Sequence, residues 1–180
     1  MFRTKLTRLF QIVLLSGMLL SHIEIASAQS TGGGQAQLVE GRAIIVRQGK
    51  EMEIDPYPMD FKDQDLIQTF DKGKVHLTLK GGDVIFLAPK TEIQFEEKFE
   101  TKGLVKISNR TLKLKGRLLA RIQRNPATEI QIRTPNAIVG VKGTEFVVEL
   151  LSKATNVGTL KGTVNLSSLT SSIKQITSCS

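Results

Sequence analysis

The chain has 180 residues, with 25 lysines and arginines against 17 acidic residues, a formal net charge of +8, one cysteine, one tyrosine and no tryptophan. That length suits one domain with a sizeable core, and a single cysteine excludes an internal disulfide. The basic surplus permits contact with anionic lipid or glycan, whereas one tyrosine and no tryptophan make nucleic acid a poor candidate, and no nucleic acid partner is expected.

The first 28 residues have three parts: Arg3, Lys5 and Arg8, an apolar run from Leu9 to Leu20, and Ala26-Ser27-Ala28. A positive start, a short apolar run and a small-residue cleavage site predict a helical, cleavable signal peptide over 1–28 and a mature chain beginning at Gln29. An uncleaved membrane anchor is the rival reading. No cysteine follows the site, so lipid attachment is not expected, and the localisation implied is periplasmic or secreted. Residues 29–37 contain Ser30, Thr31 and three consecutive glycines, which predicts a flexible lead-in with nothing to bury. The folded domain is expected over 38–166.

Within it, Ala43 to Arg47, Val75 to Leu79 and Val84 to Leu87 are strand-length apolar pieces. Val75, Leu77 and Leu79 alternate with polar residues, and Gly81-Gly82 predicts a hairpin turn into Val84. The pattern continues through Ile93 and Phe95, through Leu104, Val105 and Ile107, and through Leu112 and Leu114. Here Lys113, Lys115, Arg117, Arg121 and Arg124 intersperse with the apolar positions, which predicts one cationic stripe. It is the candidate contact for an envelope protein, or for anionic lipid or glycan; a plain solvated face that discourages edge pairing is the other reading. Leu118, Leu119 and Ile122 have near-helical spacing, but 116–125 is taken as strand, closed by a turn at Asn125-Pro126.

The stretch from Arg133 to Leu150 organises the rest. Pro135 cannot donate to a ladder and marks a strand start or an edge, Gly140 and Gly143 mark bends, and Phe146, Val148 and Leu150 alternate toward one face. After it come Val157, Leu160, Val164 and Leu166, and then a Ser/Thr-rich segment over 167–180, either an edge strand or a tail. Cys179 lies in that segment, as a bystander thiol or an intermolecular partner.

Catalytic patterns are missing from the sequence. His76 is the one histidine outside the signal, and it sits between Val75 and Leu77 on an outward position. There is no paired Cys/His ligand set, nucleophile elbow or phosphate loop; Lys142-Gly143-Thr144 lacks the upstream glycine a phosphate loop requires. Carboxylates cluster at Glu96, Glu97 and Glu100 and at Asp60, Asp63 and Asp65. Neither cluster has calcium-loop spacing, and neither fixes the separation that glycoside hydrolysis needs. No catalytic, metal or cofactor residue is expected, and the chain reads as a non-enzyme.

From Thr134 the chain reads T-P-x-A-x-V-G-V-x-G-T-x-F-x-V, with Thr134, Pro135, Ala137, Gly140, Gly143, Thr144 and Phe146 among its fixed positions. This resembles the signature of the FecR domain family. Lys80 to Ile93 is similar to the family's D-G-S-x-I-x-L-x-P-x-T-x-I pattern, and Asp65 to Thr69 resembles its G-D-x-I-x-T, with Gln64 where glycine is usual. The resemblance implies an all-β stack of short strands, a β-sandwich or a β-helical roll. It also implies a binding or signalling module of the cell envelope that works by protein contact. In the best-known members this domain follows a cytoplasmic anti-sigma segment and a membrane helix and precedes a receptor-docking domain. This sequence has a predicted signal in place of the first, and the room after Leu166 is too short for the last, so direct contact with a sigma factor is not expected. Attachment to the cell wall or an anionic envelope surface, and a glycan-acting enzyme, are the alternatives.

Overall fold

A computed structural model describes residues 32–152 and 154–169, which form fifteen strands and no helix. In chain order these are β1 (Gly32–Glu40), β2 (Ala43–Arg47), β3 (Lys50–Glu53), β4 (Met59–Lys62), β5 (Leu66–Thr69), β6 (Lys74–Leu79), β7 (Val84–Leu87) and β8 (Glu92–Lys102). Then come β9 (Val105–Lys115), β10 (Arg117–Arg121), β11 (Thr128–Arg133), β12 (Ala137–Val141), β13 (Glu145–Leu150), β14 (Thr155–Lys161) and β15 (Val164–Ser168). They make two open sheets, one of seven strands in the order β14-β13-β10-β7-β6-β1-β4 and one of eight in the order β15-β12-β11-β9-β8-β5-β2-β3. Of the two layouts expected, stacked sheets and a coiled roll, the chain adopts two sheets that share one core.

Alternation of apolar and polar residues explains the strands. On β6 the side chains of Val75, Leu77 and Leu79 are buried while Lys74, His76 and Thr78 point outward. Its partner β7 buries Ile85 and Leu87, β11 buries Ile130 and Ile132, and β13 buries Phe146 and Val148. A strand with period two can bury only one face, so each of these sheets turns its apolar side to the other sheet. Phe61 of β4 and Phe95 of β8 meet edge to face across the core, ring centroids 5.4 Å apart.

The expected flexible lead-in over 29–37 is, from Gly32 onward, part of a strand. β1 is hydrogen-bonded between β4 and β6, and Ala36 is fully buried. The glycines are there for close approach. A Cβ on Gly33 would lie 2.5 Å from the Phe61 ring and 2.7 Å from the Phe95 ring, so the two rings occupy the space a side chain would need. The predicted signal peptide over 1–28, the end of the tail and Cys179 lie outside the described residues.

The turn where glycine was missing is made by Gln64 itself, at φ 68°. Its N–H donates to the Phe95 carbonyl at 2.8 Å and its side-chain amide to Asp63 at 3.2 Å, so bonds on both sides hold a residue in a region that costs non-glycine residues strain. The stretch over 116–125 contains β10 and no helical turn.

Candidate functional site

The outer faces of the two sheets differ. On the seven-stranded sheet, His76 stacks on Phe86 with ring centroids 4.7 Å apart. On the eight-stranded sheet the outer face is charged, and a groove of about 450 Å³ opens across β5, β8, β9 and the end of β11. Its lining includes Leu66, Glu92, Gln94, Lys113, Lys115 and Arg133, with Thr134 and Pro135 forming one wall.

Strand register assembles these residues. β8 and β9 are antiparallel, with Gln94 opposite Lys113 and Glu92 opposite Lys115. β9 and β11 are parallel, which sets Arg133 beside Lys113. Three cations therefore stand on one face across neighbouring strands. Lys113 pairs with Glu96, and Lys115 reaches Glu92 at 3.0 Å. Arg133 has no ion pair among the described residues. Exposed pairs of this kind contribute at most about 1 kcal/mol, so both lysines can exchange their carboxylate for one on a binding partner.

The wall is rigid for a local reason. Thr134 is buried, and its hydroxyl accepts from the Ala137 N–H at 3.0 Å while the Thr134 N–H donates to the Ala137 carbonyl at 2.9 Å. The same hydroxyl lies 2.7 Å from that of Thr155 and 3.1 Å from the Asn136 side-chain oxygen, to which Thr155 also donates. These bonds close a tight turn between β11 and β12 and leave Pro135 exposed at the groove. An extended, carboxylate-bearing segment fits this geometry, since Lys113 offers an ammonium between the Arg133 guanidinium across the strands and the Lys115 ammonium along its own strand.

The structure does not bring the five predicted cations into one stripe. Lys113 and Lys115 lie in the groove, but Arg117 and Arg121 stand on the outer face of the seven-stranded sheet, where Arg121 pairs with Glu145 at 3.2 Å. Arg124 lies beyond β10, packed near Gly143. The cause is Gly116, at φ 112°, where the chain crosses from one sheet to the other. Alternation continues through the crossing, yet the outward side chains then point to the opposite side of the molecule. Arg133 was missed because it pairs in parallel with a strand distant in sequence.

The remaining motif residues are structural. Ala137 and Phe146 are in the core, and Gly140 sits mid-strand between Gln131 and Asn165. Gly143 makes the β12–β13 turn at φ 66°, and buried Thr144 donates to the Thr163 carbonyl at 2.9 Å.

The acidic clusters are split by the pleat. Glu96 faces out to Lys113, whereas Glu97 faces in, 2.9 Å from the Arg110 guanidinium and 2.6 Å from the Ser108 hydroxyl. Asp65 is buried against Arg47 at 2.6 Å, and Asp63 accepts from the Glu97 N–H at 2.8 Å. Arg110 also reaches Asp83 at 3.4 Å. Burial pushes the Asp83 carboxyl above its ordinary pKa, against the lowering effect of the Gln123 N–H and Arg110. Asp83 and Glu97 thus converge on one cation, all three side chains being more than nine-tenths buried. Glu100 and Glu129 line a hollow of about 260 Å³ that Arg110 also borders, with Lys102 at 3.7 Å from Glu129. Among the described residues no cluster of three or more His, Cys, Asp or Glu is placed to hold a metal ion.

The family described as FecR protein matches residues 65–165, more than half of the chain. The chain is similar to two crystal structures of a putative anti-sigma factor from Parabacteroides distasonis ATCC 8503, each at 21% identity, with TM-scores of 0.50 and 0.48. Each alignment covers 59% of this chain and 48% of that one, so the chain matches about half the length of those structures. No curated protein matches it.

Proposed function

The chain belongs to the FecR protein family, and from that premise we propose that it is a non-enzymatic regulatory module that binds a protein partner in the cell envelope. The partner presents an extended acidic segment to the groove of Lys113, Lys115 and Arg133. The observation that carries this reading is that every residue lining the groove falls within the span that defines the family, and that the family's own Thr134-Pro135 turn builds its wall. An envelope location agrees with the predicted signal peptide. The anti-sigma description of the Parabacteroides protein agrees with a regulatory role, although a sigma factor is not the partner proposed.

The absence of catalysis is part of the proposal. Four of the inward or groove-side carboxylates, Asp83, Glu97, Asp65 and Glu96, are tied to Arg110, Arg47 and Lys113, which supports that reading. The test is to change Lys113, Lys115 and Arg133 together to Ser. Loss of co-purification with the partner is expected while the melting temperature moves by no more than about 2 °C, since exposed charges contribute little to stability. Unchanged co-purification refutes the groove as the contact.

A further inference from the structure

The β8–β9 hairpin reaches past the rest of its sheet. β5 pairs with β8 over Glu92 to Gln94, and β11 pairs with β9 no farther toward the tip than Ser108. The last pairs, Glu100 with Ile107, Thr101 with Lys106 and Lys102 with Val105, therefore have no strand on either side. At about 3.4 Å per residue they carry the tip about 10 Å beyond the sheet. Gly103, at φ 65° and with open space around it, turns the chain, and the apex residue Leu104 is fully exposed. Val105 and Phe99 are about half exposed behind it, the Phe99 ring lying under the Lys106 ammonium at 4.3 Å.

Lysines accompany this apolar tip along the hairpin. Lys98, Lys102 and Lys106 are exposed on the hairpin, Lys102 and Lys106 on its last two pairs, with the Lys102 ammonium 3.7 Å from Glu129. Glu100 and Glu129 offset part of this charge. At the opposite end cations are matched more closely, in the pairs Lys74–Glu40, Arg42–Glu53 and Lys90–Asp71.

We propose that this end of the molecule docks on an anionic phospholipid bilayer, with Leu104 and Val105 entering the headgroup layer and the hairpin lysines on lipid phosphates. Two properties select a bilayer over a protein. The tip is convex, and the nearest hollow, by Glu100 and Glu129, is polar, so a protein would need a socket shaped to it while a fluid bilayer deforms around it. The projection of about 10 Å also matches the depth of about 5–10 Å at which interfacial segments rest. Lysine stems extend along the apolar tip and keep their charge at phosphate depth. Few apolar residues enter, so docking is weak without anionic lipid.

The test is sedimentation of the purified full chain with vesicles of phosphatidylcholine alone or with about one third phosphatidylglycerol, at low and high salt. Partition onto the anionic vesicles alone, weakened by salt, is expected. Each lysine near the surface is worth about fivefold, so changing Lys102 and Lys106 together to Ser weakens partition about 25-fold. Leu104→Glu with Val105→Glu weakens it tenfold or more, at an unchanged melting temperature. The groove variant of Lys113, Lys115 and Arg133 binds vesicles as the wild type does. No partition by the wild type, equal partition onto both vesicle types, or full partition by the Leu104→Glu, Val105→Glu variant overturns the proposal. Crosslinks from position 104 to a protein without dependence on lipid assign the tip to that protein instead.

Discussion

Replacing Arg110 with Met keeps the apolar stem and removes the charge that two inward carboxylates share. The side chains of Arg110, Asp83 and Glu97 are 7%, 6% and 4% exposed, so water cannot replace the guanidinium. Glu97 would keep its bond from Ser108 and Asp83 its bond from the Gln123 N–H, but neither would have a counter-charge. Breaking a buried pair in this way costs about 3–5 kcal/mol. The penalty depends on pH with a definite sign. A carboxyl whose folded pKa is raised binds its proton more readily in the native state than in the unfolded chain, and burial already raises that of Asp83. Removing Arg110 raises it further. The deficit of the variant is thus greatest at neutral pH and shrinks as pH falls through the raised native pKa toward the ordinary carboxylate value near 4, by about 1.4 kcal/mol for each unit of added shift. Urea unfolding at about pH 7.5 and about pH 4.5 measures both quantities. A loss below about 1 kcal/mol, or one equal at the two pH values, would refute the argument that these charges stabilise one another in a dry site.

Gly143→Val, at φ 66° and with Arg124 Cβ 3.0 Å from the added carbon, should cost more than the ~1 kcal/mol typical of a point mutation, and an unchanged thermal midpoint would count against it. Gly116→Ala should cost more than Gly143→Ala, because its Cβ would lie 2.8 Å from the Thr91 Cα and 2.9 Å from the Lys90 carbonyl, backbone that cannot rotate away; the two unfolding midpoints give the order. Phe146→Ala, at a fully buried position, should cost about 3–5 kcal/mol in urea unfolding.

Strands were legible where period-two alternation met glycine punctuation, as at Val75 to Leu87 and at Phe146 to Leu150. The glycines themselves were ambiguous. Gly81 and Gly82 serve a turn, but Gly33 gives room to Phe61 and Phe95, whose partnership no local pattern discloses. The cationic stripe failed for a related reason: alternation tells which residues face outward on each strand, but not that Gly116 moves the chain to the other sheet. The groove needed the parallel pairing of β9 with β11, a long-range contact. Glu97 and Arg110 could have been noticed, since each continues an inward series, Ile93 and Phe95 in one case and Leu112 and Leu114 in the other.

The groove is tested most directly by placing a photo-crosslinking residue at Gln94, which lines the groove, and separately at Val147, on the outer face of the other sheet, in whole cells that make the protein. The account predicts one protein adduct from position 94 that is absent from position 147 and disappears when Arg133 is changed to Glu. The same adducts from both positions, or an adduct at 94 indifferent to Arg133→Glu, would contradict it.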